Sequence, residues 1–167
     1  MEKIYETAYA KINLGLDVLG KRSDGYHEVR MVMQSVGLSD AVEIEEGEGL
    51  VVETDHSGLA GGPDNLAWKA AELLARCCGK IPNVHIRLNK KIFLAAGLAG
   101  GSSDAAAVMR GLSRLWQLDL TAPELEKLAA ELGSDIPFCV TGGTALAEGR
   151  GEILTELPEA PELLLLW

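Results

Sequence analysis

The first third of the chain alternates apolar and polar side chains, the period-2 signature of strands with one buried face. That pattern predicts strands at residues 5–19, 29–38, 41–45 and 50–54, with turns at 21–25 and 46–49. After a loop at 58–63 the apolar period lengthens to that of a helix. Leu66, Ala70, Leu73, Leu74 and Cys77 share one face behind a cap at Asp64 or Asn65. Residues 84–88 alternate again as a strand. A second helix places Ala105, Val108, Met109, Leu112 and Trp116 on one side. A third begins with Thr121 and Glu124 in the capping-box relation and turns Leu125, Leu128, Ala129 and Leu132 inward, with Gly133 as a left-handed terminator. Short strands are expected at 138–140, 144–147 and 153–157. Strands first and helices later predict an α+β fold, a two-layer mixed sheet packed against helices.

A length of 167 residues suits one domain with a real core. The formal net charge of −10 argues against a nucleic-acid or anionic-membrane partner, because phosphate backbones select Lys- and Arg-rich faces. The first residues lack the basic and apolar regions of a signal peptide, and no run reaches a membrane span of roughly 18 apolar residues. Cys77, Cys78 and Cys139 are an odd count without metal spacing. They read as reduced structural thiols, Cys77 on a core-facing position, and hence as a cytoplasmic protein. Leu163 to Trp167 is a bare apolar run that reads as a buried strand cut short, so a fragment of a longer protein is expected.

The most informative segment is Ala96-Gly97-Leu98-Ala99-Gly100-Gly101-Ser102-Ser103-Asp104. Glycines let backbone N–H groups approach an anion, and the helix that follows adds unpaired donors and a favourable dipole. Serine hydroxyls supply further bonds or face a metal ion. The order makes a phosphate cradle. Gly15 to Arg22 nearly spells a different phosphate loop, but Arg22 replaces its Ser or Thr and the residues between read as strand.

Gly97 to Ala106 resembles the phosphate-binding motif of the GHMP kinases. Three further segments agree in order and spacing: Ala10 to Leu14, Asp24 to Val29, and Gly133 to Phe138. The resemblance implies the N-terminal ATP-binding lobe of a two-lobed kinase over residues 1–157, with 158–167 opening a second lobe. The family's usual proline after the Lys90 position is missing, where this chain reads Ile92-Phe93-Leu94.

By that resemblance Asp135 takes the proton of the acceptor hydroxyl and Lys11 is its cationic partner. Residues 96–103, Asn65, Leu66 and Lys90 would hold ATP, with Mg²⁺ riding on the nucleotide and its protein ligands unassigned. Tyr26 and His27 suit a cytosine, as a ring to stack on and an imidazole for the pyrimidine edge. Asn13 and Arg150 complete the substrate set. The substrate implied is a small molecule carrying a cytidine diphosphate group, phosphorylated on the 2-hydroxyl of its methylerythritol portion, as in the non-mevalonate isoprenoid route. Alternatives are another small-molecule acceptor of this family (mevalonate, homoserine or a sugar) or a nucleotide-binding lobe without turnover. Oligomeric state is not legible.

Overall fold

A computed structural model describes residues 3–162. The elements run β1 (Lys3–Lys21), β2 (His27–Glu46), β3 (Leu50–Thr54), α1 (Leu66–Cys77), β4 (Val84–Asn89), α2 (Gly100–Leu115), α3 (Ala122–Ala129), α4 (Ile136–Thr141), β5 (Thr144–Gly149) and β6 (Ile153–Glu156). β2 organises the sheet. Its whole length pairs antiparallel with β1 on one edge. On the other edge its first half pairs with β5 and its second half with β4. β3 lies parallel to β4, with α1 as the crossover between them, and β6 closes the far side against β5.

The helices cover one face. Val42, Ile44, Val52, Val84, Ile86 and Leu88 meet Ala67, Ala70, Ala71 and Leu74 of α1 and the apolar residues of α2. A smaller cluster, Met31, Met33, Phe138, Ala145 and Ala147, packs β2 and β5 against α4. α2 is the central helix. Residues 103–109 are buried without interruption, because the sheet, α1 and α4 surround its first turns. Only small side chains fit such a helix, which accounts for its alanines. At Gly111 a Cβ would come 2.5 Å from Ile44 Cδ1, so glycine there lets helix and sheet approach.

Several expectations change. The strands predicted at 29–38 and 41–45 are one, because Ser39 and Asp40 stay in the ladder with Tyr9 and Ala8. Residues 138–140 belong to α4 rather than to a strand; Pro137 opens the helix and its apolar run is too short for periodicity to decide. Gly133 is not left-handed. α3 ends at Ala129, and the N–H groups of Leu132 and Gly133 both bond to the Ala129 carbonyl as the chain keeps turning right-handed towards α4. Cys77 is exposed, and its neighbour Cys78 packs against the core instead, because α1 ends there and the face rotates away. Asn65, not Asp64, caps α1. The expected terminal strand at 163–167 lies outside the described residues.

Candidate active site

The loop before α2 enters the helix through an unusual backbone. Ala95, Gly97 and Ala99 all have positive φ, at 56°, 76° and 59°. For the alanines this costs on the order of 1 kcal/mol each, a strain that collects at functional sites. Ala99 occupies the N-cap position and supplies no side-chain hydrogen bond. The first helical bond runs from Ser103 N–H to the Ala99 carbonyl, at 2.8 Å. The amides of Gly100, Gly101 and Ser102 therefore precede the helical ladder, and Gly101 is exposed. Donors without helical partners at the positive end of a dipole are what an anion needs.

The two serines differ. Ser103 is buried, and its hydroxyl donates to the Tyr9 carbonyl at 2.6 Å and lies 3.4 Å from Cys139 Sγ. It ties α2 to β1 and is closed off from solvent. Ser102 stays at the surface, half-buried. Burial pushes the Cys139 thiol up to about 11, against a smaller opposing effect of Ser103.

β1 brings the charged pair to this loop. Its ladder with β2 breaks register between Tyr9 and Lys11, so burial passes from Ala8 and Ala10 to the adjacent Lys11. The Lys11 N–H donates to the Leu98 carbonyl at 3.1 Å. Its ammonium lies 3.4 Å from Asp135 Oδ2 and 3.4 Å from Asn13 Oδ1. Asp135 sits just before α4 with its side chain 36% exposed, against 7% for that of Lys11. A buried cation and a reachable carboxylate thus stand together, although 124 residues separate them in sequence.

A second contact chain leads onward. Gly151, at φ 115°, lies against Met31 and Ser134; a Cβ there would come 2.6 Å from Met31 Cε. This locks the turn after β5 beside the residue preceding Asp135. Arg150 on that turn stacks its guanidinium 4.9 Å from the Tyr26 ring centroid. Its backbone N–H donates to Glu152, and its Nη2 reaches the Ala130 carbonyl at 3.4 Å. Tyr26 is held by its own turn: its N–H donates to Asp24 Oδ1, and Arg22 bridges Asp24 and Glu28. Tyr26 and His27 are both exposed.

The residues expected on the nucleotide side behave less uniformly. Leu66 lies against Gly101, so the starts of α1 and α2 are neighbours. Asn65 is a structural cap. Its Nδ2 donates to the Ala60 carbonyl and its Oδ1 accepts from Ala67 N–H, each at 2.8 Å. Lys90 was expected to approach the nucleotide; its ammonium is instead buried between Asp40 and Asp104. Asp40 also accepts from the N–H groups of Lys91 and Ile92, the latter at 2.8 Å. Sequence reasoning missed Asp40 and the role of Asp104. The available signal was an acid inside each of two otherwise apolar or small-residue runs. Burial raises the Asp104 carboxyl to about 7, with Lys90 opposing the shift and Asp40 adding to it.

A concavity of about 570 Å³ lies elsewhere, on the helix-free face of the sheet beside Tyr5, Glu43, Glu53 and Arg87. It holds none of the candidate-site residues above. Among the described residues no group of three or more His, Cys, Asp or Glu side chains could hold a metal, and no helix is long and apolar enough to cross a membrane.

Comparison with known proteins bears on these residues. The family model for the GHMP kinases N terminal domain matches residues 65–143. The chain is 50% identical over 164 residues to the 4-diphosphocytidyl-2-C-methyl-D-erythritol kinase of Caldanaerobacter subterraneus, covering 98% of this chain and 57% of the relative. It is 54% identical over 160 residues to the protein of the same name from a Synechococcus species, covering 95% and 52%. The chain thus spans little more than half the length of these relatives. A crystal structure of a 4-(cytidine 5'-diphospho)-2C-methyl-D-erythritol kinase superposes with a TM-score of 0.77 at 38% identity, over 92% of this chain and 55% of that one. A mevalonate kinase superposes with a TM-score of 0.70 at 14% identity, over 93% and 56%, a likeness of fold alone.

Proposed function

We propose that this chain, whose residues 65–143 match the GHMP kinases N terminal domain, grips ATP at its loop 96–103 for phosphorylation of the 2-hydroxyl of 4-diphosphocytidyl-2-C-methyl-D-erythritol. The observation that carries the reading is the continuous run of contacts from Leu98 through Lys11, Asp135, Ser134 and Gly151 to Arg150 and Tyr26. It joins an anion cradle to a carboxylate and an aromatic platform. Phosphoryl transfer needs the cradle and the carboxylate close together, and the platform would hold the acceptor's base.

The chemistry follows from the groups present. Asp135 accepts the proton of the attacking hydroxyl. The hydroxyl oxygen forms a bond to the γ-phosphorus, the bond to the β–γ bridging oxygen breaks, and ADP leaves. Lys11, 3.4 Å from Asp135, offsets charge on the transferring group, while loop amides hold the phosphates. Mg²⁺, riding on the nucleotide, would neutralise phosphate charge. Ser102 fits as its protein ligand because its hydroxyl remains at the surface, whereas Asp40 and Asp104 are occupied by Lys90. Cytosine stacks on the face of Tyr26 that Arg150 leaves open, with His27 at the pyrimidine edge and Asn13 beside the methylerythritol portion. The free thiols of Cys77, Cys78 and Cys139 support a reducing, cytoplasmic setting.

The test is ADP release from ATP by this chain with the cytidylyl substrate, mevalonate, homoserine or a sugar. Release with the cytidylyl substrate alone is expected. Release with one of the others would replace the acceptor, and nucleotide binding without release would favour a holding lobe without turnover.

A further inference from the structure

Two side chains of α2, Ser103 and Arg110, sit two turns apart on one face, and each reaches both β1 and α4. The Ser103 hydroxyl donates to the Tyr9 carbonyl at 2.6 Å and lies 3.4 Å from Cys139 Sγ. Arg110 makes the larger bridge. Its Nη2 donates to the Thr7 carbonyl at 2.9 Å, and its Nη1 to the Cys139 and Val140 carbonyls at 2.7 and 3.2 Å. Its Nε donates to Glu6 Oε2 at 3.1 Å. One guanidinium thus joins the edge of β1 to the end of α4, and its planar fork is what allows both.

The two elements it joins carry Lys11 and Asp135. α4 has six residues, too few to hold a helix without tertiary support. Carbonyls at its C-terminal end lack helical partners, and Arg110 satisfies two of them. Asp135 stands at the other end, where its carbonyl accepts the Cys139 N–H at 3.3 Å. The residue that Arg110 grips is therefore bonded to the one that bears the carboxylate. On β1, Lys11 follows Thr7 by four residues along the same strand. The carbonyls of Tyr5, Thr7 and Tyr9 are taken in turn by Arg114, Arg110 and Ser103. Arg114 also pairs with Glu6, but among the described residues it bonds to nothing on α4.

We propose that Arg110 is a positioning residue for phosphoryl transfer: by holding β1 and α4 in one fork it sets the 3.4 Å spacing of Lys11 and Asp135. The inference rests on the assignment of Asp135 as proton acceptor. Among the described residues Arg110 bonds to neither Lys11 nor Asp135, so it acts through the two elements. Without the fork, α4 keeps its packing on α2 and only the Ser103–Cys139 contact as a polar tie. The carboxylate then drifts from the lysine, and proton acceptance depends on that geometry.

The experiment measures ADP release from ATP with the cytidylyl substrate by the unmodified chain, Arg110→Gln, Arg110→Lys, Arg114→Gln, Asp135→Asn, and Arg110→Gln combined with Asp135→Asn. Arg110→Gln is expected to lower kcat about thirtyfold, inside the roughly hundredfold cost of about 1 Å of misplacement. Its KM and ADP affinity should stay within about twofold of the unmodified chain, because the loop amides are untouched. Arg110→Lys keeps the charge beside Glu6 and loses the fork, so about a fivefold loss is expected. Arg114→Gln should leave kcat unchanged. On the Asp135→Asn background, Arg110→Gln should lower kcat no further, since a positioning residue then has nothing left to place. The full loss on that background, an equal loss from Arg114→Gln, or an unchanged kcat in Arg110→Gln would overturn the inference. If Arg110→Gln fails to fold, Arg110→Lys carries the same cycle. If the unmodified chain releases no ADP with any acceptor, the proposed function falls, and the position is read by NMR. A nuclear Overhauser contact between the Lys11 ε-methylene and the Asp135 β-methylene should be present in the unmodified chain and Arg114→Gln, and weakened in both Arg110 variants. Its absence from the unmodified chain, or equal strength in all four, would overturn the positioning role.

Discussion

The two ends of the candidate site are built differently. At the phosphate end almost every polar side chain is already engaged by the protein: Ser103 by β1, Asn65 by its own helix, Lys90 by two acids. What remains for a ligand is backbone amide, Ser102 and the Lys11–Asp135 pair. At the other end Tyr26 and His27 are exposed side chains on a turn, with Arg150 behind one ring face. On the proposed reading, the difference means that the anion would be met by fixed dipoles and the base by side chains. A cradle of amides cannot be altered without refolding the loop, whereas a stacking platform can be changed one residue at a time. Substitutions at the two ends should therefore fail in different ways.

The largest expected effect is at the junction. Asp135→Asn should lower turnover by about a thousandfold with ADP affinity nearly unchanged, because it removes proton acceptance and keeps shape. Steady-state rates beside ADP titrations check this; equal losses in both would move Asp135 into the binding group.

Next comes the stability of the phosphate end. Burial raises the Asp104 carboxyl to about 7, so between about pH 4 and pH 7 the folded chain holds a proton that the unfolded chain has lost. Stability of the unmodified chain should fall as pH rises through that window. Asp104→Asn removes this slope. Urea melts at pH 5 and pH 8 should show the variant gaining about 2–4 kcal/mol on the unmodified chain, and parallel curves would contradict the shift.

Smaller effects belong to the exposed end. Tyr26→Ala should weaken binding of cytidine diphosphate about tenfold, the scale of one lost base–aromatic stack, without changing ADP affinity. Arg150→Gln should weaken it about threefold, since it removes only the support behind the ring. An Arg150 effect larger than that of Tyr26 would mean that the guanidinium, rather than the ring, meets the ligand.

The sheet was legible because its strands have one wet face: Val42, Ile44, Val84, Ile86 and Leu88 alternate with polar neighbours. α1 and α3 announced their caps through Asn65 and the Thr121–Glu124 pair, whose N–H to carboxylate bond is present at 2.8 Å. α4 was misread as strand because six residues are too few to show a period. In the site, backbone features followed from the glycines and small residues, since geometry at a helix start is local. The fates of Lys90 and Ser103 did not. Each is decided by a partner far along the chain, Asp40 and the Tyr9 carbonyl, at 50 and 94 residues' separation. A lysine before a phosphate loop reads as a ligand until the acids that bury it are placed.

The most direct test of the division between the two ends is backbone amide NMR of the chain, titrated first with ADP and then with cytidine diphosphate. ADP should move the Gly97 to Ser102 amides and leave Tyr26 and His27 in place; cytidine diphosphate should move Tyr26, His27 and Arg150. ADP shifts centred on Tyr5, Glu43 and Arg87 at the sheet concavity, with the loop amides unmoved, would contradict the account.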